Sequence, residues 1–270
     1  MSRIDLDQIR QTLIRLEDTI IYLLIERAQF AHNQPIYEIS DKVIDLNLQD
    51  GDQTKVSFLD WILFQTESVH AKVRRYESPD EYPFTTPINK LPKPILPPLN
   101  QSNPYLYQNN ININPKIKEF YINHIVNNLT HLKDDGQYGS SAVRDVEILQ
   151  AVSRRIHYGK FVAECKFRES PKDFIDSIKS KDYHNLEKLI TKPKIEEILI
   201  NRLKIKSKLY GQEIDLNGNL INDKNKINTE LVINMYKDWV IPLTRHVEVE
   251  YLLCRLDGLS NDEINELLNN

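Results

Sequence analysis

Apolar positions along the chain recur mostly at intervals of three and four, the period of an amphipathic α-helix, and runs alternating every second residue are almost absent. The first segment runs from about Leu6 to His32. One stripe holds Leu6, Ile9, Leu13, Leu16, Ile20 and Leu23, and a second holds Ile14, Ile21, Leu24 and Ala28. A helix apolar on two sides is expected to be buried on two sides, in a core or a subunit interface. Arg10 and Glu17 fall on the second stripe, where solvated charges do not belong. A second helix is predicted over Ser57–Glu77, with Ser57 as its cap and Pro79 past its end. Phe58, Ile62, Val69, Val73 and Tyr76 give its expected buried side.

Residues Pro79 to Pro115 hold nine of the thirteen prolines, and the tail QSNPYLYQNNININ is rich in Asn. This stretch, with 85–115 as its most irregular part, reads as a surface loop or partly ordered linker. It does not divide the chain, because either half alone would leave two-faced helices unpaired. Residues 1–270 are therefore read as one all-α domain, a multi-helix bundle. Helical periodicity resumes over Lys116–Leu132, breaks at DDGQYGS, and restarts with Ser140 or Ser141 as cap of a helix to about Phe167. Helices near Pro171–Ser180 and Tyr183–Ile190 follow, and Pro193 opens another to about Tyr210. GQEIDLNGNLINDKNK reads as a loop, and Thr229–Asp257 as a last long helix bent or interrupted at Pro242. Ser260 and Glu263 make a capping box for a short tail helix within 258–270.

Composition adds mainly exclusions. Apolar residues make up 40% and charged residues 27%, with a net charge of −4, which suits a globular chain with a real core. No run of Lys or Arg exceeds a pair, so the dense basic face needed for nucleic acid is missing. No stretch approaches the roughly 20 apolar residues of a membrane span. The start, MSRIDLDQIR, lacks an apolar signal core. Two cysteines, Cys165 and Cys254, give no disulfide framework, and a cytoplasmic location is expected. Seven glycines form no phosphate-binding motif and seven histidines no metal-ligand spacing, so neither cofactor nor metal is expected.

The most informative segment is the helix over about 141–167. Ile148, Val152, Arg155, Gly159, Val162 and Lys166 follow one line. Arg155 and Lys166 are eleven residues apart, three turns, and point within roughly 20° of each other. Gly159 between them leaves room for a ligand or another backbone. Buried cations need partners. Three readings stay open: ion pairs with Glu17 or Glu196, an Arg155 that snorkels to water, or a small anionic ligand held by Arg10, Arg155 and Lys166. Glu196, in the first turn after Pro193, sits where a helix dipole favours an anion. Glu248 lies one turn after Thr244, on the same face.

The segments IRQTLIRLEDTI, SFLDW, VRRYESPDE, SRRIHYGKFVAECKF and VIPLTRHVEVEYLL are similar to the fungal, allosteric branch of the all-α chorismate mutases, colinearly over about residues 6–257. The likeness fades in 36–55, 85–115 and 212–228 and after Asp257. It implies an all-helical, dimeric enzyme that rearranges chorismate to prephenate in phenylalanine and tyrosine biosynthesis, with no cofactor. Carried over residue by residue, it implies that Arg10 and Arg155 bind the two substrate carboxylates. Lys166 and a protonated Glu248 would donate to the ether oxygen, Glu196 would accept from the ring hydroxyl, and Thr244 would support the pocket. Lys192 stands where the family shows Asn. The resemblance also implies a homodimer inhibited by tyrosine and activated by tryptophan, with effector residues Arg74, Arg75, Gln137, Gly139 and Ser140. Gly136, Gln137, Val143 and Asn228 depart from that family pattern. Two alternatives remain: a catalytically inactive helical regulator that binds aromatic amino acids, and an isomerase or lyase of another cyclic dicarboxylate.

Overall fold

The computed structural model describes residues 5–39, 55–98, 105–107 and 109–269. Residues 1–4, 40–54, 99–104, 108 and 270, which include most of the 36–55 segment and parts of the N-terminal and Asn-rich segments discussed above, lie outside these. The helices are α1 (Leu6–Ala28), α2 (Phe58–Lys72), α3 (Asn114–Phe120), α4 (Asn127–Leu129), α5 (Tyr138–His157), α6 (Gly159–Glu169), α7 (Pro171–Lys179), α8 (Tyr183–Ile190) and α9 (Pro193–Tyr210). Strands β1 (Gln212–Ile214) and β2 (Leu220–Asn225) come next, then α10 (Thr229–Met235), α11 (Ile241–Cys254) and α12 (Asn261–Asn269).

Local chemistry sets many of these boundaries. Ser57 Oγ accepts from the Asp60 amide at 3.1 Å, Asp182 caps α8 through the Asn185 amide, and Asn228 caps α10 through the Glu230 amide. The Ser260–Glu263 capping box closes in both directions. Pro115, Pro171 and Pro193 each stand in a first turn, where a missing N–H is harmless.

Several expectations need correction. GQEIDLNGNLINDKNK is not all loop: β1 and β2 pair antiparallel around a turn in which Gly218 has φ +85°. Short strands with one turn between them escape a reading tuned to helical period. The helix from Tyr138 starts before Ser140, with Gln137 at its cap position, so neither Ser140 nor Ser141 caps it. The segment after Pro115 does not remain α-helical, since Tyr121–Val126 forms a π-helical turn between α3 and α4. A second π turn, Tyr236–Val240, lies just ahead of Pro242 and carries the interruption expected there. The largest miss is α2, which ends at Lys72. Its fully buried side is Leu59, Leu63, Glu67 and Ala71, while Val69 and Val73 are more than half exposed. A single buried acid, Glu67, hid this face: its carboxylate accepts from the amides of Phe84 and Thr85 at 2.6 and 2.8 Å. The proline-rich stretch is thereby anchored to α2 at residues 84–85.

Two apolar clusters form. One gathers Ile20, Ile21 and Leu24 of α1 with Ile148, Leu149 and Val152 of α5 and Val247 of α11. The other gathers Ile9 of α1 with Phe161 and Phe167 of α6, Leu186 of α8 and Val249 and Leu252 of α11. The first turns of α1 thus feed one cluster and its later turns the other, and α5–α6 and α11 run through both. The charged side chains of the next section lie along this junction.

Candidate active site

Arg155 comes from the last turn of α5 and Lys166 from the last turn of α6, with Tyr158 linking the two nearly continuous helices. Both side chains line one pocket, as their three-turn spacing implied. Arg10 and Leu13 of α1, Lys192 and Glu196 at the start of α9, and Thr244 and Glu248 of α11 complete its polar and near walls. Val162, Ile195, Leu199 and Ile241 supply the apolar lining. The pocket is half open to solvent, with polar groups converging from several helices on a mostly apolar lining, the usual make-up of a small-molecule site.

Gly159 allows this assembly. A Cβ there would lie 3.0 Å from the Thr244 methyl and carbonyl oxygen and 3.2 Å from Glu248 Cγ. The space beside Gly159 is therefore taken by α11, so the glycine serves another backbone rather than a ligand. This contact sets Thr244 and Glu248 opposite Arg155 and Lys166.

The pocket charges are unevenly partnered. Lys166 Nζ donates to Glu248 Oε2 at 3.1 Å and to the Ile190 carbonyl at 2.8 Å. Glu248 is buried, and that burial pushes its carboxyl above the usual range, against the opposing pull of Lys166, then Arg155 and Arg245. Arg155 is only 4% exposed, so it does not snorkel to water. It donates to Thr244 Oγ1 at 3.4 Å and lies 5.9 Å from the Tyr236 ring centroid, yet its buried Nε has no partner among the described residues. Arg10 is half exposed and bonds Asp7 at 2.8 Å.

The ion pairs considered from sequence for Arg155 and Lys166 do not form. Glu17 is fully buried, but its carboxylate is held bidentately by Arg202 at 2.7 and 2.8 Å and by Lys206 at 3.3 Å, both from α9. Glu196 is held by Arg245 at 2.8 Å. Arg245 lines the pocket too, a residue that the helix pattern alone does not single out. The available signal was its place beside Thr244 and three residues before Glu248, at the edge of the same helix face.

The expected effector residues are not brought together in one chain. Arg74, at φ 65°, and Arg75 follow α2; Arg75 bonds Glu81 at 3.1 Å, and Arg74 donates to the Pro97 carbonyl. Nearby, His70 of α2 reaches Gln150, and Arg154 holds Asp80 at 2.7 Å. This end of α2 therefore lies beside residues 150–154 of α5. Gln137, Gly139 and Ser140 lie at the opposite end of α5, roughly 15–20 Å away along the helix. Gly139 and Ser140 are exposed.

Residues 137–249 match the family model described as chorismate mutase type II, a span that holds every expected pocket charge except Arg10. The chorismate mutase of Schizosaccharomyces pombe is 44% identical over 256 residues, covering 94% of this chain and 98% of that protein. The crystal structure of the Candida albicans chorismate mutase, a complex with L-Trp, superposes with a TM-score of 0.86 at 39% identity, covering 97% of this chain and 96% of that one. The crystal structure of AtCM1 with tyrosine bound in its allosteric site superposes with a TM-score of 0.81 at 42% identity, covering 95% of this chain and 98% of that one. Full-length likeness at this identity, with the charged helix faces inside the matched span, establishes that the chain belongs to the chorismate mutase family.

Proposed function

We propose that the pocket between α1, α6, α9 and α11 is where this enzyme converts chorismate to prephenate. The observation that carries the reading is the unequal satisfaction of its charges: Arg155 is buried with an Nε that has no partner among the described residues, while Lys166 and Glu248 meet at 3.1 Å in the same cavity. The reaction is an intramolecular Claisen rearrangement, in which an ether C–O bond breaks as a C–C bond forms. Atoms are neither added nor lost, so the protein's tasks are to fix a compact conformer and to stabilise charge on the ether oxygen. Arg155 and Arg10 grip the two carboxylates, a task suited to guanidinium forks. Lys166 and protonated Glu248 donate to the ether oxygen, Glu196 accepts from the ring hydroxyl, and Thr244 holds Arg155. Lys192, at the pocket wall, adds a cation there.

Regulation and assembly belong to the same reading. Relatives crystallised with Trp, or with Tyr in an allosteric site, support tyrosine and tryptophan as effectors here. The wide separation of Arg74 and Arg75 from Gln137, Gly139 and Ser140 supports a homodimer whose effector site takes one half from each copy. We read residues 1–270 as one domain, since α11 packs on α5, α6, α7 and α8. Among the described residues no helix is long and apolar enough to cross a membrane. A cytoplasmic location is the finer reading.

The test is loss of chorismate absorbance with purified protein and no added cofactor. Turnover is expected; a folded protein that binds tyrosine but leaves chorismate unchanged would establish the inactive-regulator alternative instead.

A further inference from the structure

We infer that Arg245 is a positioning residue for this reaction, holding the Glu196 carboxylate in the orientation that receives the substrate's ring hydroxyl. The inference rests on the role just proposed for Glu196. Glu196 is a long side chain in the first turn of α9, one third exposed, and left alone it would sample several rotamers. Arg245 Nη2 donates to its Oε1 at 2.8 Å, while Nη1 lies 3.7 Å from Glu187 of α8. The guanidinium thus ties together the two helices that flank the corner at Thr191 and Lys192, which forms part of the pocket wall. Lys166 holds the same corner from another side through the Ile190 carbonyl. Among the pocket arginines, Arg245 is the one engaged by two carboxylates, whereas Arg155 has none within ion-pair distance among the described residues. A substrate carboxylate would have to displace Glu196 to reach Arg245, so the geometry favours action through Glu196.

The pair is a poor stabiliser of the fold, because its members are 25% and 33% exposed and water screens them. Its loss should therefore appear in catalysis with the melting temperature nearly unchanged. A hydrogen bond made equally in ground and transition states raises KM when lost and leaves kcat alone. For Arg245→Gln we expect KM for chorismate to rise about tenfold with kcat within about threefold. Arg245→Lys should recover most of that loss. On a chorismate analogue lacking the ring hydroxyl, Arg245→Gln and the unaltered enzyme should have the same kcat/KM. Glu196→Gln should be impaired on chorismate, and adding Arg245→Gln to it should cost nothing more. Equal losses on both substrates, or multiplicative losses in the double variant, would overturn the inference and make Arg245 a direct ligand or a structural support. Glu196→Gln impaired with Arg245→Gln unimpaired overturns it alone. Glu196→Gln unimpaired on chorismate withdraws the Glu196 role and this inference together.

Discussion

Two buried acids in this molecule have contrasting surroundings. Asp145 on α5 is fully buried and receives three hydrogen bonds at 2.7 Å, from Arg27 Nε and from the hydroxyls of Tyr37 and Tyr121. Arg27 is equally enclosed and spends its remaining N–H groups on the carbonyls of Ala31 and His32 and on Tyr37. Glu248 has Lys166 as its one side-chain donor among the described residues, and both face a cavity beside the Nε of Arg155, which has no partner among them. Burial pushes both carboxyls up. What differs is the number of groups that answer it. A buried charge with every hydrogen bond met consolidates the fold, and one left short beside a cavity is available to a ligand.

The strongest way to break this comparison is to truncate the pocket cations. Arg155→Ala and Lys166→Ala should each lower kcat by about 10²–10³-fold or more while the thermal melt stays close to that of the parent. If either variant unfolded and its folded fraction kept near-parental turnover, the two regions would not differ in kind. The reciprocal substitution, Arg27→Ala, should destabilise the chain by about 3–5 kcal/mol by leaving Asp145 buried and unpaired. Urea unfolding measures this, and the protein still folded should keep its turnover.

A smaller change probes how the pocket is held. Gly159→Ala places a methyl 3.0 Å from the Thr244 carbonyl, so α6 and α11 must separate. Overpacking of this sort costs about 1–3 kcal/mol. The displacement of Thr244 and Glu248 should lower kcat/KM about tenfold, and a parental melt with parental kinetics would contradict the packing described.

The mildest test uses pH. Burial raises the Glu248 carboxyl, so its proton persists to higher pH than on an ordinary glutamate. If the protonated form is the donor to the ether oxygen, activity is full below that raised value and falls as pH climbs through it. Glu248→Gln keeps a donor that does not ionise, so its kcat/KM profile should lose the alkaline fall. Superimposable profiles would remove Glu248 from the ether oxygen.

Much of this was legible in the chain of residues. Helical period, prolines at helix starts and the Ser260–Glu263 box marked most of the elements, because these signals act within one or two turns. The line from Ile148 through Arg155 and Gly159 to Lys166 put two cations on one face, since helix geometry alone fixes their relative direction. The identity of their partners was beyond that reach. Glu17 was a candidate for Arg155, and it is Arg202 and Lys206 of α9 that claim it. The buried side of α2 was misassigned because Glu67, a charged residue, occupies it to hold the backbone at Phe84 and Thr85. Arg245 was passed over because its partners, Glu187 and Glu196, lie on other helices. Periodicity determines which way a side chain points from its own helix. Whether it meets a carboxylate, a carbonyl or an open cavity depends on helices distant in sequence, and that was decided only when α1, α6, α9 and α11 packed together.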